Sequence, residues 1–161
     1  MKDLTVRPLT AADESDLTAL AHVCDTTYRE WTPKGWVVPE LLPGWPNQYF
    51  APAAFIEGAY DPDGRLVATV AFRPSEIGPS VAHVGLVFTH PTRWREGIAG
   101  AMMDRAEAEM VVREYTSAVL WTPDGAPAEA FYRGRGWARD GRTDWHPWMG
   151  LQMVGYARDL P

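Results

Sequence analysis

Between a β-branched run and an apolar periodic stretch the chain reads TRWREGIAGAMM, Thr92 to Met103. Gly97, Ala99 and Gly100 carry little or no side chain, so an anion could approach the backbone closely there. If a helix starts at this point, about four of its backbone N–H groups lack intrahelical acceptors, and roughly half a positive charge sits at that end. The same small residues would also suit a plain strand-to-helix connection. Neither G-x-G-x-x-G nor G-x-x-x-x-G-K-[ST] occurs, which argues against dinucleotide and nucleoside-triphosphate sites. Other reactive types are scattered. His22, His83, His90 and His146 form no H-E-x-x-H pattern, so no metal site is expected. Cys24, the only cysteine, has no thiol partner and reads as buried filler.

The elements that must position this loop can be read from periodicity. Leu4 to Arg7 reads as a strand, followed by a helix through TAADESDLTALAHVCDTTYREW with Thr10 or Asp13 as its N-cap. Prolines break regular structure from Thr32 to Asn47. Ala53 to Tyr60 and RLVATVAFRP are joined by DPDG, which predicts a hairpin. Val81 to His90 is a fourth strand, stopped by Pro91, which cannot donate to a ladder. Ile98, Met102, Ala106 and Met110 recur at every fourth position, which predicts an amphipathic helix to about Glu114. SAVLW then reads as a strand, APAEAFYRGRG as a short helix, GWARDGR as a strand and turn, and MGLQMVGYARDL as a closing strand. The order β-α-β-β-β-α-β-α-β-β is mixed α/β (α+β).

Composition bounds the class. The 161 residues fit one domain, 1–161, and no apolar run approaches the roughly 20 residues of a membrane span. The start, MKDLTVRPLT, lacks a secretory apolar run, and with one cysteine a reducing, cytoplasmic setting is expected. A net charge of -6 is the wrong sign for neutralising nucleic-acid phosphates, and a nucleic-acid-linked acceptor such as a charged tRNA is disfavoured on the same ground. Eight tryptophans are many for this length, and Trp31, Trp36 and Trp45 fall in the proline-rich segment. Tryptophan serves as core filler as often as it lines a pocket; the sharper expectation is that these three shape a substrate site.

VFTHPTRWREGIAGAMM resembles the acyl-CoA-binding motif of the Gcn5-related N-acetyltransferase (GNAT) family, in which a strand ending V-x-P precedes [QR]-x-x-G-x-[GA]. Pro91 and Gly97 keep the six-residue separation, and Gly97-Ile98-Ala99 fills the last three positions. Trp94 stands where the family has Gln or Arg, and Thr89 where it has Val; Arg95 is placed to supply the missing charge. Downstream, APAEAFYRGRGW is similar to the family's N-x-x-A-x-x-x-Y-x-x-x-G-F, with Ala128, Tyr132, Gly136 and Trp137 in register and Gly125 in place of Asn.

The resemblance implies a mostly antiparallel central sheet flanked by helices, with strands four and five splayed around acetyl-CoA. It implies N-acetyl transfer to an amine of a small molecule or peptide by direct attack, without metal or membrane, and a possible homodimer. Cofactor contacts fall on Val87, Phe88, Thr89, Trp94, Arg95, Glu96, Gly97, Ile98, Ala99 and Gly100. The pyrophosphate would rest on the loop amides from Trp94 onward, and the Thr89 N–H would polarise the thioester carbonyl. Tyr132 is the expected donor to the leaving thiolate. The family's strand-four glutamate corresponds to Gly85, so the base must come from elsewhere. His83, expected by alternation to face the same side as Gly85, Val87 and Thr89, leads over Glu57, Glu30 and Glu40. The missing glutamate also leaves open a non-catalytic acyl-CoA-binding regulatory module.

Overall fold

A computed structural model of the chain describes residues 1–27 and 31–161. The first strand, β1 (Thr5–Pro8), leads into a 3-10 turn at Ala11–Asp13 and then helix α1 (Glu14–Thr26). The Thr10 hydroxyl accepts the Ala12 N–H and caps the turn. Asp13, the other N-cap candidate, makes no such cap on α1; its carboxylate accepts the Thr10 N–H and pairs with Arg7. Leu17, Leu20, Ala21 and Cys24 form the buried stripe of the helix. No regular element occupies Trp31 to Pro46, and a 3-10 turn follows at Asn47–Tyr49.

Strands β2 (Phe55–Tyr60), β3 (Leu66–Ser75) and β4 (Gly78–Thr89) form the expected antiparallel meander. Helix α2 (Ile98–Val112) crosses to β5 (Ser117–Pro123), which therefore pairs with β4 in parallel. Helix α3 (Ala128–Gly134), β6 (Ala138–His146) and β7 (Leu151–Asp159) complete the chain. The final hairpin places β7 beside β5, giving the order β1-β2-β3-β4-β5-β7-β6. Among the described residues only the β4–β5 junction is parallel, so the mixed, mostly antiparallel sheet flanked by helices is as the family resemblance implies.

Each sheet face has its own core. On one side Ile98, Met102, Met103, Ala106 and Met110 of α2 pack with Phe72, Val84, Leu120, Tyr132 and Trp137. On the other, Leu17, Leu20 and Cys24 of α1 pack with Tyr49, Ile56 and Ala71. The fully buried four-residue repeat of α2 explains why that helix was legible from apolar spacing.

The sheet opens between its two halves. Parallel pairing runs from Val81↔Ser117 to Val84↔Leu120 and stops, although β4 continues to Thr89 and β5 to Pro123. A bulge in β4 accompanies the fork. Leu86 takes a left-handed φ of 53°, the register with β3 slips between Thr69 and Ala71, and the Thr69 hydroxyl donates to the Leu86 carbonyl at 2.7 Å. An extra residue in one strand bends and twists it, which steers the end of β4 away from β5.

Candidate active site

At the open end of β4 the chain turns through Pro91–Arg93 into α2. Gly97 is the N-cap of α2, with φ 77°, and a Cβ there would meet nothing within 4 Å. The first helical bond runs from the Ala101 N–H to the Gly97 carbonyl at 3.0 Å. Among the described residues, the N–H groups of Arg95 to Gly100 meet no backbone acceptor. Six consecutive free amides at a helix start, with open space at Gly97, make a candidate anion cradle. Trp94 differs: its N–H returns to the Pro91 carbonyl at 3.3 Å, so the free amides begin one residue later than the motif suggests. The Glu96 carboxylate is held by Arg93 at 2.9 Å, so it is neutralised within the loop. Arg95, exposed and with φ 65°, stands beside the cradle.

The end of β4 supplies the second wall. The His90 N–H donates to Val67 of β3 at 2.7 Å, and antiparallel bonding alternates, so the Thr89 backbone points the other way, toward the fork. Its carbonyl accepts the Trp94 indole N–H at 2.8 Å and the Cys24 thiol at 3.3 Å. Trp94 thus folds its ring back onto β4, and α1 abuts the same residue through Cys24. The Thr89 Oγ1 is buried with no hydrogen-bond partner among the described residues. Tyr132, 7 % exposed, lies on α3 with its ring 6.1 Å from those of both Trp137 and Tyr156. Burial raises its phenol above the usual value.

The bulge changes the phase on which His83 was chosen. Val87 packs with the α2 core, whereas Leu86 and Phe88 pack with the α1 core. Thr89 pairs with Ala68, which belongs to the α2 core. His83 and Gly85 stand opposite Arg73 and Ala71, on the α1 side. Simple alternation therefore fails across Leu86, and His83 does not share a face with Val87 and Thr89. Burial, with Arg73 and Arg142 nearby, pushes the His83 imidazole down to about 4, so it is neutral at pH 7. Glu57 faces the α2 side and is gripped by Arg105, whose Nη2 donates to Oε1 at 2.9 Å. Glu40 is exposed on the irregular connection, and Glu30 lies outside the described residues.

At Gly85 the connection intrudes. A Cβ on Gly85 would overlap the Tyr49 hydroxyl and approach its Cζ to 2.7 Å. Tyr49 is 5 % exposed, and the Arg73 guanidinium faces its hydroxyl. Glycine is thus required by a close approach, and an aromatic side chain occupies the ground a larger strand-four residue would claim.

The model of the acetyltransferase (GNAT) family matches residues 18–137. The chain belongs to the GNAT acetyltransferase family. Solved structures share the fold. A GNAT-family acetyltransferase from Staphylococcus aureus Mu50 is 14% identical, with a TM-score of 0.77 over 98% of this chain and 99% of that one. The ribosomal-protein-S18-alanine N-acetyltransferase from Escherichia coli is 14% identical, with a TM-score of 0.74 over 98% and 94%. The PaiA N-acetyltransferase from Thermoplasma acidophilum, in complex with coenzyme A, is 14% identical, with a TM-score of 0.72 over 97% and 98%. No curated protein matches the sequence.

In this GNAT chain the three tryptophans of the connection separate. Trp31 lines a cavity of about 340 Å³ with Pro33, Pro123, Asp124, Trp145 and Leu151, at the end of the β5 arm. Trp36 donates its indole N–H to the Met149 carbonyl in the β6–β7 turn at 2.7 Å. Trp45 instead donates to the Thr18 hydroxyl of α1 at 2.9 Å and packs against the α1 core. Sequence reasoning passed over Tyr49, Arg73 and Asp25. The first two become noticeable only once strand register sets them beside His83 and Gly85. Asp25 sits one residue after the core position Cys24, a polar residue where the α1 stripe is already buried, and that could have marked it. Among the described residues, no group of three or more His, Cys, Asp or Glu is placed to hold a metal ion, and no helix is long and apolar enough to cross a membrane.

Proposed function

We propose that the chain, acting as one catalytic domain over 1–161, is a cytoplasmic acetyl-CoA-dependent N-acetyltransferase. It transfers the acetyl group to an amine of a small molecule or peptide by direct attack in a ternary complex. The observation that carries this is the fork: β4 and β5 part after Val84 and Leu120, and six unpaired amides lie just beyond the β4 tip. The Thermoplasma acidophilum relative was solved with coenzyme A, and the Escherichia coli relative acts on a protein alanine, which supports both halves of the reaction.

The residues present suit the cosubstrate. The amides of Arg95 to Gly100 would hold its pyrophosphate, with Arg95 adding charge, and the open space at Gly97 admits a phosphate to the backbone. The orphaned Thr89 Oγ1 and the outward Thr89 N–H are donors at the strand end, and Val87 and Phe88 offer an extended edge to a pantetheine arm. Acetyl-CoA supplies the activated acyl group; the protein supplies position and electrostatics. A donor at Thr89 aimed at developing negative charge on the carbonyl oxygen lowers the barrier. Tyr132 belongs to the same core as Leu120 of β5, the strand that forms the other wall of the fork. Ordinary phenol and thiol values, about 10 and 8.5, make full proton transfer uphill by roughly 2 kcal/mol. Because burial raises the phenol further, Tyr132 acts as a hydrogen-bond donor to the departing sulfur rather than as a complete acid. Trp45, bonded to Thr18 of α1, would hold the connection beside the acceptor, whereas Trp31 and Trp36 stand beside the β5 arm and the β6–β7 turn.

Incubation with acetyl-CoA and a panel of amines, followed by free-thiol release, tests the proposal. Turnover with at least one amine is expected; tight CoA binding without turnover across the panel would overturn it. A second reading, a non-catalytic acyl-CoA-binding regulatory module, is favoured by one observation: glycine stands at the strand-four position where the family carries glutamate, and Tyr49 fills the space. Tyr132→Phe separates the two, because an enzyme loses transfer while keeping CoA affinity, whereas a binding module has no rate to lose.

A further inference from the structure

A second concavity lies along α1, away from the CoA cradle. It is a groove of about 630 Å³ between the helix and the Val38–Pro43 segment. The segment is fixed at one end by the Glu14 carboxylate accepting the Gly44 N–H at 3.0 Å and by the Trp45–Thr18 bond. Val38, Pro39, Leu41 and Leu42 give it an aliphatic wall. Against this stand three acids, Glu14, Asp25 and Glu40. Asp25 is the unusual one. It is only 7 % exposed, faces the groove, and has no hydrogen bond or ion pair among the described residues. A carboxylate largely withdrawn from water is disfavoured in its ionised form, so such a group is normally paired. Its neighbour Cys24 touches the Thr89 carbonyl, which puts this end of the groove next to the strand end that faces the fork.

We infer that the groove binds the acceptor as an aliphatic ammonium, with Asp25 as the buried counter-charge that receives its cationic head and the Val38–Leu42 wall covering its hydrocarbon body. This rests on the acetyltransferase proposal for its role in catalysis, but the binding site stands on geometry alone. The ligand supplies the partner that Asp25 lacks, and neutral or anionic analogues of the same shape do not.

The pairing sets a pH dependence. Among the described residues, the titratable groups that share the groove with Asp25 are Glu14 and His22 on its own helix and Glu40 on the opposite segment, and Cys24 adjoins it. Burial pushes the Asp25 carboxyl up to about 7 in the free protein. The ionised form that binds a cation is then about a tenth of the population at pH 6 and about nine-tenths at pH 8, so affinity rises about tenfold across that range. Binding at pH 6 releases about one proton from Asp25.

Calorimetric titration of the full chain with n-butylamine, n-butanol and butyrate, at pH 6 and pH 8, tests the site without requiring activity. Butylamine alone should bind, about tenfold more tightly at pH 8. Asp25→Asn should weaken it at least tenfold at pH 8 and abolish most of the pH dependence and proton release, while His22→Gln keeps both. Ala19→Trp, which fills the groove from an exposed helix position, should also abolish binding without altering any charge. Equal affinity for butanol, or wild-type affinity in Asp25→Asn, overturns the inference. In the thiol-release assay, amine turnover that Asp25→Asn leaves untouched overturns the site while the enzyme stands. Saturable, Asp25-dependent amine binding with no thiol release upholds the site and counts against the enzyme.

Discussion

Replacing Gly85 by alanine should destabilise this protein, against the usual trend for a strand glycine. Away from special contacts, Gly→Ala in a strand restricts the unfolded chain and gains about 0.4–1 kcal/mol. Here the new methyl would overlap the Tyr49 hydroxyl and lie 2.7 Å from Cζ and 3.4 Å from Cε1. The ring is rigid and packed among Leu17, Leu20, Cys24 and Ile56, so it cannot swing clear without opening the α1 core. Overpacking costs about 1–3 kcal/mol, and with the hydroxyl oxygen and the ring carbon that bears it both blocked the upper end applies, about 3 kcal/mol. For a chain of this size that is a fall in Tm of about 6–12 °C. Tyr49→Ala alone should cost about 3–5 kcal/mol through its cavity. The double variant Gly85→Ala/Tyr49→Ala should be no less stable than Tyr49→Ala, because the methyl then enters vacated space. Urea denaturation of the four proteins yields the coupling energy. A Gly85→Ala protein as stable as the wild type, or strictly additive single changes, would refute the claim that Tyr49 excludes a side chain at this position.

Further outcomes follow from the same geometry. Glu57→Gln should lower stability by about 1–2 kcal/mol, discounted because Arg105 is half exposed, and leave the acetyl-transfer rate of the folded enzyme near wild type; a large loss of kcat with unchanged Tm would instead make Glu57 a base. Gly97→Ala should cost about 1 kcal/mol from its left-handed φ and weaken CoA in a fluorescence titration; unchanged CoA affinity would argue against the cradle. Asp25 has a folded value near 7 against an unfolded value near 4, so its favourable contribution is full below pH 4 and lost as pH rises through 7. Asp25→Asn should therefore raise Tm at pH 8 and change it little at pH 4. His83 is depressed to about 4, so protonation of the unfolded chain drains stability as pH falls from about 6.5 toward 4, and His83→Gln should flatten that part of a Tm–pH profile.

Much of this molecule could be read from its residues. The α2 helix and the hairpin were legible because each signal is local: a four-residue apolar repeat, and a DPDG turn between alternating runs. The free amides were legible too, since any helix start leaves them and small residues at a strand-to-helix junction keep them accessible. Pro91, Gly97 and Tyr132 at family spacing supplied the expectation that the anion is the pyrophosphate of an acyl-CoA, which stands as a proposal. The single-residue slip at Trp94 was not legible, because it depends on a 3-10 bond closing back to Pro91.

Everything decided by long-range approach belonged to the tertiary structure. The bulge at Leu86 breaks the two-residue period that would place His83 with Thr89, and it depends on pairing with Thr69 of another strand. Tyr49 reaches Gly85 across 36 residues, Arg105 claims Glu57 across 48, and Trp45 turns to α1 while Trp36 reaches the β6–β7 turn. Residue type and spacing determine which backbone conformations and charges are on offer. Which of them are buried, paired or, as Asp25 is among the described residues, left unpaired depends on what the folded chain brings against them, because a low-dielectric interior magnifies both the cost of a lone charge and the gain from pairing it.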